Sequence, residues 1–201
     1  MSEPTQNLRL SRFFWLACAI EAALLVVALA IAYPFGQPLL SDLHWSVTDL
    51  LLGLASSVPL LVLFWWMLRS SLKPLARIRR VLLTGLRPLF APWSLIQLGI
   101  ISVLAGICEE VLFRSVIQGT LSTAAGPWIA LIIASLLFGG AHLVTVAYGI
   151  IAAAIGVYLG LLWLLGENLL IPIVAHAAYD FLALVYFLRV WEPGNSARPQ
   201  R

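Results

Sequence analysis

Apolar runs of membrane-spanning length alternate with short polar connectors along nearly the whole chain. Arg12 to Tyr33 is the first such run, closed by Pro34, Gly36 and Pro38, and Val47 to Leu68 is the second. Trp93 to about Gly119 is the third, and Gly126 with Pro127 separates it from a fourth, Trp128 to about Leu143. A shorter fifth runs from about Tyr148 to Leu165, where Gly149, Gly156 and Gly160 allow close helix contact. Gly166, Glu167 and Asn168 form a turn before the sixth, Leu169 to Trp191. Val81 to Ala91 is too short to cross and reads as an interfacial or re-entrant piece. The pattern predicts an all-α polytopic transmembrane bundle of about six spanning helices plus that segment. Met1 to Ser11 reads as a polar, frayed start.

Composition sharpens this picture. The 201 residues are 62% hydrophobic and only 10% charged, far outside the soluble average. The net charge of +3 does not point to nucleic acid, because the basic residues form no groove-lining pattern with aromatics. Six of the twelve Lys and Arg residues lie between Arg69 and Arg87 with no acid among them, which reads as a cytoplasmic loop against anionic lipid. The connector Gln37 to Asp49 carries Asp42 and Asp49 but no Lys or Arg, and reads as external. Cys18 and Cys108 sit in apolar segments and give neither a disulfide framework nor a zinc spacing. Glu21 within the first run, and the run's length, favour an uncleaved helix over a signal peptide. The expected organisation is 1–92 for the N-terminal helices and basic loop, 93–190 for a catalytic core, and 191–201 for a disordered tail.

Against this apolar background a few ionisable residues stand out, and at membrane depth they are a functional-site hypothesis by default. Glu109 and Glu110 are adjacent, with Arg114 one turn after Glu110. Phe138 and His142, and His176 and Asp180, are likewise four apart and share helix faces. Glu109 points about 100° away from Glu110, so the two carboxylates need different partners. Glu110 is neutralised by Arg114, which makes the helix tolerable in the bilayer. Glu109 is left free to meet His142 and His176, two of the three histidines of the chain. His44, in the outer connector, reads as surface.

A Glu/His/His set in a dry cavity can hydrolyse a peptide bond in two ways. A divalent metal such as zinc, held by Glu109, His142 and His176, would supply activated water. Without metal, Glu109 would take the proton from water positioned by His142, with other donors stabilising the oxyanion. Spacing alone leaves both open. Three rivals belong to other classes: a non-catalytic scaffold, a proton-coupled carrier using Glu21, Glu109 and His142, and a thiol protease using Cys108.

The segments EEVLFR (Glu109 to Arg114), FGGAH (Phe138 to His142) and HAAYD (His176 to Asp180) resemble the three motifs, EExxxR, FxxxH and HxxxN/D, of the CPBP intramembrane proteases. That family contains the type II CAAX prenyl endopeptidases and the Abi-type bacteriocin-processing or immunity proteins, and the resemblance covers Leu95 to about Leu188. It implies an intramembrane endopeptidase acting on a membrane-associated peptide or protein, in a bilayer such as a bacterial inner membrane. Glu109 would activate water with Glu110 and Arg114 beside it, and His142 would be its partner. His176 and Asp180 would form a second pair that binds metal or stabilises the oxyanion. Where the prenyl endopeptidases have Asn, this chain has Asp180, which fits better as an acceptor orienting His176 or as a metal ligand. An immunity partner that keeps the fold without turnover is the alternative.

The expected depths conflict. Glu109 lies sixteen residues after Trp93, about 24 Å into a core of about 30 Å, whereas His142 lies about 21 Å in from the opposite face. On these helix boundaries the two do not meet.

Overall fold

The computed structural model describes residues 3–192, with side chains from Arg12 onward, and among them there is helix but no strand. Helix α1 is Glu3–Ala32 and α2 is Val47–Arg69. Helix α3, Lys73–Val81, runs through a π-helical turn, Leu82–Leu86, into α4, Arg87–Phe90. Helix α5, Leu95–Glu110, continues through a π-helical segment, Val111–Gln118, into α6, Gly119–Ala125. Helices α7, Pro127–Ala141, and α8, Val146–Gly166, follow. Last comes α9, Leu170–Val185, with a π-helical end, Tyr186–Val190.

Five helices are long and apolar enough to cross a membrane: Arg12–Phe35, Val47–Arg69, Leu95–Ala125, Val146–Gly166 and Leu170–Val190. The sixth apolar helix, α7, has 15 residues and rises about 22 Å, short of a full crossing. Helix α1 begins at Glu3, so most of the stretch expected to fray is helical. The expected tail lies outside the described residues beyond Glu192.

The third span runs six residues further than its composition suggests, ending at Ala125 and not near Gly119. Thr120, Ser122 and Thr123 look like a helix exit, yet Ser122 and Thr123 return their hydroxyls to the carbonyls of Gln118 and Thr120 and stay in the helix. This removes the conflict of depths. Glu109 is sixteen residues before Ala125, about 24 Å from that end, and His142 is fifteen residues after Pro127, about 22 Å from the same end. The two residues come level because the third span extends to Ala125.

Close backbone approach brings the site-bearing helices together. A Cβ on Gly106 of α5 would meet Ala177 Cβ and the Ile173 carbonyl of α9, each at 2.9 Å. A Cβ on Gly139 of α7 would lie 2.6 Å from the Gly149 carbonyl of α8. Gly156 lies against Ser135 in the same way, as the glycine pattern of the fifth apolar run led us to expect.

The two ends of the bundle are built differently. At the acidic end, Asn168 donates to the His44 carbonyl (2.9 Å) and Asp49 (2.8 Å), and accepts from the amides of His44 and Leu170. Trp163 donates to Asp42 (3.2 Å), and Ser115 donates to the Leu39 carbonyl (2.6 Å). The α1–α2 connector is thereby stitched over the α8–α9 turn and the site-bearing helix. The His44 side chain itself is exposed, as expected. At the basic end, Trp93 is buried among the rings of Phe13, Phe14 and Phe90, and Arg189 donates to the carbonyls of Ala91 and Trp93.

Candidate active site

Glu109 and Glu110 end α5 side by side and turn to different partners. Glu110 is fully buried and accepts on both oxygens, from Arg114 Nε at 2.8 Å and from His176 Nδ1 at 2.8 Å. The carboxylate thus joins the intrahelical arginine expected from the spacing to a histidine of α9, and the second contact was not expected. The i,i+4 spacing survives although Arg114 lies in the π-helical segment, a deformation often found beside functional groups.

Glu109 points the other way, and its Oε2 lies 3.6 Å from His142 Nε2. This is beyond hydrogen-bond reach, and Oε2 is buried without a hydrogen-bond partner. His142 caps the C-terminus of α7, and its Nδ1 donates to the Phe138 carbonyl at 2.9 Å. A carbonyl can only accept, so Nδ1 carries a proton, and when the ring is neutral Nε2 presents a lone pair to Glu109.

Phe138 explains the spacing of its motif. Its ring stacks on His142 with centroids 4.5 Å apart, forms a T-shaped pair with His176 at 6.0 Å, and receives the Arg114 guanidinium 5.0 Å from its centroid. One aromatic ring therefore fixes the His142 plane and covers an arginine whose Nη1 and Nη2 have no hydrogen-bond partner.

Asp180 stands differently from expectation. Its Oδ2 lies 3.6 Å from His176 Nε2, so the bond that orients the imidazole comes from Glu110 and not from Asp180. Both ring nitrogens of His176 are thereby turned to carboxylates, Nδ1 to Glu110 and Nε2 to Asp180. Among the described residues no group of three His, Cys, Asp or Glu side chains is arranged to hold a metal ion. As arranged, these donors do not fit the three-ligand zinc site considered from the sequence.

A cavity of about 150 Å³ is lined by Glu109, Phe138, His142, His176, Tyr179 and Asp180. A neighbouring cavity of about 210 Å³ shares Glu109, Tyr148, Tyr179 and Asp180 with it and adds Glu21 of α1. An apolar groove of about 320 Å³ shares Leu82, Leu86, Phe90 and Tyr148 with the second and opens between the α3–α4 segment and the start of α8. The short Val81–Ala91 piece therefore walls the path to Glu109. Cys108 is buried and lines none of the three.

Residues 91–182 match the family model of type II CAAX prenyl endopeptidase Rce1-like proteins. This segment is similar to that family. The match spans all three motifs and supports the resemblance to the CPBP intramembrane proteases, a protease family set in a lipid bilayer. The matched segment starts just before α5 and ends within α9, so α1 and α2, which supply Glu21 and Phe64 to the cavities, lie outside it. No curated protein and no solved structure matches the chain.

Sequence reasoning missed Tyr148, and passed over Tyr179 although it lies inside HAAYD. A phenol three residues after His176 was a signal that could have been read. The place of Glu21 beside Glu109 depends on how α1 packs, and nothing local in the sequence marks it.

Proposed function

We propose that the chain is a CAAX-protease-like intramembrane endopeptidase of the glutamate type, cleaving a membrane-associated protein or peptide at the Glu109–His142 pair. The observation that carries this reading is the 3.6 Å gap between a buried, unpartnered Glu109 oxygen and His142 Nε2. One water oxygen can lie within hydrogen-bond distance of both atoms and donate one hydrogen to each. Its lone pairs are then left for a substrate carbonyl entering from the groove.

In this reaction the water oxygen bonds to the carbonyl carbon while Glu109 takes a proton, and the carbonyl electron pair moves onto oxygen. Collapse re-forms the carbonyl, breaks the C–N bond, and the proton on Glu109 passes to the leaving amine. The phenols of Tyr148 and Tyr179 are assigned to the oxyanion, as donors on the cavity wall. Glu110, Arg114 and Phe138 are positioning residues: the first two hold His176, and the third holds His142.

The reading is tested by comparing N- and C-termini of membrane proteins from cells carrying the wild type or Glu109→Gln at matched expression. Termini present only with the wild type, and absent again with His142→Ala, are expected. Identical termini, together with a deletion phenotype that Glu109→Gln rescues, would make the protein a scaffold.

A further inference from the structure

A fourth cavity, of about 840 Å³, lies at the basic end and shares no lining residue with the three around Glu109. It opens between the end of α2, the Ser70–Ser71 turn and the π-helical end of α9. Two arginines line it. Arg79 Nη1 donates to the carbonyls of Leu68 (3.3 Å) and Ser70 (2.9 Å), which fixes its guanidinium to the C-terminus of α2. The Arg69 guanidinium lies 4.2 Å from the centroid of the Trp65 ring. Among the described residues neither arginine forms an ion pair, although Glu192 also lines the cavity.

The walls are of two kinds. Trp65 and Val190, with 47% and 63% of their surface exposed, are apolar and sit on helices long and apolar enough to span a membrane, while Arg69, Arg79, Ser70 and Ser71 also line the cavity. Tryptophan at a helix end marks the headgroup level of a bilayer. A basic pocket at that level, bordered by the exposed apolar side chains of Trp65 and Val190, matches a molecule with a phosphate at one end and acyl chains at the other. We propose that this cavity binds the phosphate headgroup of an anionic phospholipid, with Arg69 and Arg79 as the cationic donors and the acyl chains passing over Trp65 and Val190. A free phosphate would use the arginines but not the apolar wall.

The test uses the full chain in detergent, titrated with phosphatidylglycerol, phosphatidylcholine or inorganic phosphate, with bound lipid read by native mass spectrometry. Phosphatidylglycerol should be retained in preference to phosphatidylcholine, and inorganic phosphate should not displace it. Arg69→Gln should weaken retention roughly tenfold, the scale of one lost charge-assisted contact. Glu192→Gln should tighten it, because a carboxylate is removed from an anion site. Arg79 also caps α2, so Arg69 and Glu192 carry the test. Equal retention of both lipids, displacement by inorganic phosphate, or an unchanged affinity in Arg69→Gln would each overturn the proposal.

Discussion

Glu110 and His176 lie 66 residues apart, on α5 and α9, and meet in a buried 2.8 Å hydrogen bond whose carboxylate also holds Arg114. Two motifs that look independent in the chain are thus one polar cluster, and the chemistry of each depends on the packing of the other. Removing Glu110 leaves a buried arginine without a counter-charge, so Glu110→Leu should cost about 3–5 kcal/mol. Adding Arg114→Met should restore most of that stability but not the activity, because His176 still lacks its orienting acceptor. Thermal unfolding in detergent beside a cleavage assay checks both halves.

Glu109 has no comparable structural duty. Glu109→Gln should leave thermal stability within about 0.5 kcal/mol of the wild type or raise it, since a buried carboxylate without a partner is removed. Cleavage should fall by about 10²–10⁴-fold, the range for loss of a general base. A variant that unfolds, or that keeps wild-type cleavage, would deny Glu109 this role.

Phe138 sets the plane of His142 by stacking at 4.5 Å, and its ring face receives Arg114. Phe138→Leu keeps apolar bulk but loses the flat surface, and should cost about 1–2 kcal/mol with a larger loss of turnover than of substrate binding. A change confined to KM would place Phe138 on the substrate and not behind the histidine.

If Tyr148 or Tyr179 donates to the oxyanion, its Phe variant should lower kcat by about 10²–10³-fold with KM little changed. Comparing Tyr148→Phe with Tyr179→Phe assigns the donor, and equal, small effects from both would leave that role to another group.

Gly106 permits the approach that joins Glu110 to His176. Gly106→Ala puts a methyl 2.9 Å from Ala177 Cβ and from the Ile173 carbonyl, and neither neighbour is a flexible side-chain end. The variant should lose about 1–3 kcal/mol in unfolding and lose activity with it, whereas Gly85→Ala, with open space around its Cβ, should do neither.

Much of the local geometry of the candidate site was legible without coordinates because its rules are local. An ionisable residue in a bilayer-length apolar run has to be answered, and i,i+4 spacing puts Glu110 beside Arg114, Phe138 behind His142 and His176 near Asp180. The 100° step between adjacent residues was enough to send Glu109 and Glu110 to different partners. Six apolar helices and a short interfacial piece followed from run length and breaker residues.

What only the tertiary structure decided is which groups meet across helices, and at what depth. The third span extends through Thr120, Ser122 and Thr123 because backbone carbonyls satisfy the Ser122 and Thr123 hydroxyls, and this brings Glu109 level with the end of α7. His176 takes its orienting bond from Glu110 rather than from Asp180, because Gly106 lets α5 settle onto α9. Glu21, Tyr148 and Tyr179 reach the cavity through packing that no spacing rule encodes. Periodicity fixes the face of one helix; the distance between two helices depends on the residues of both.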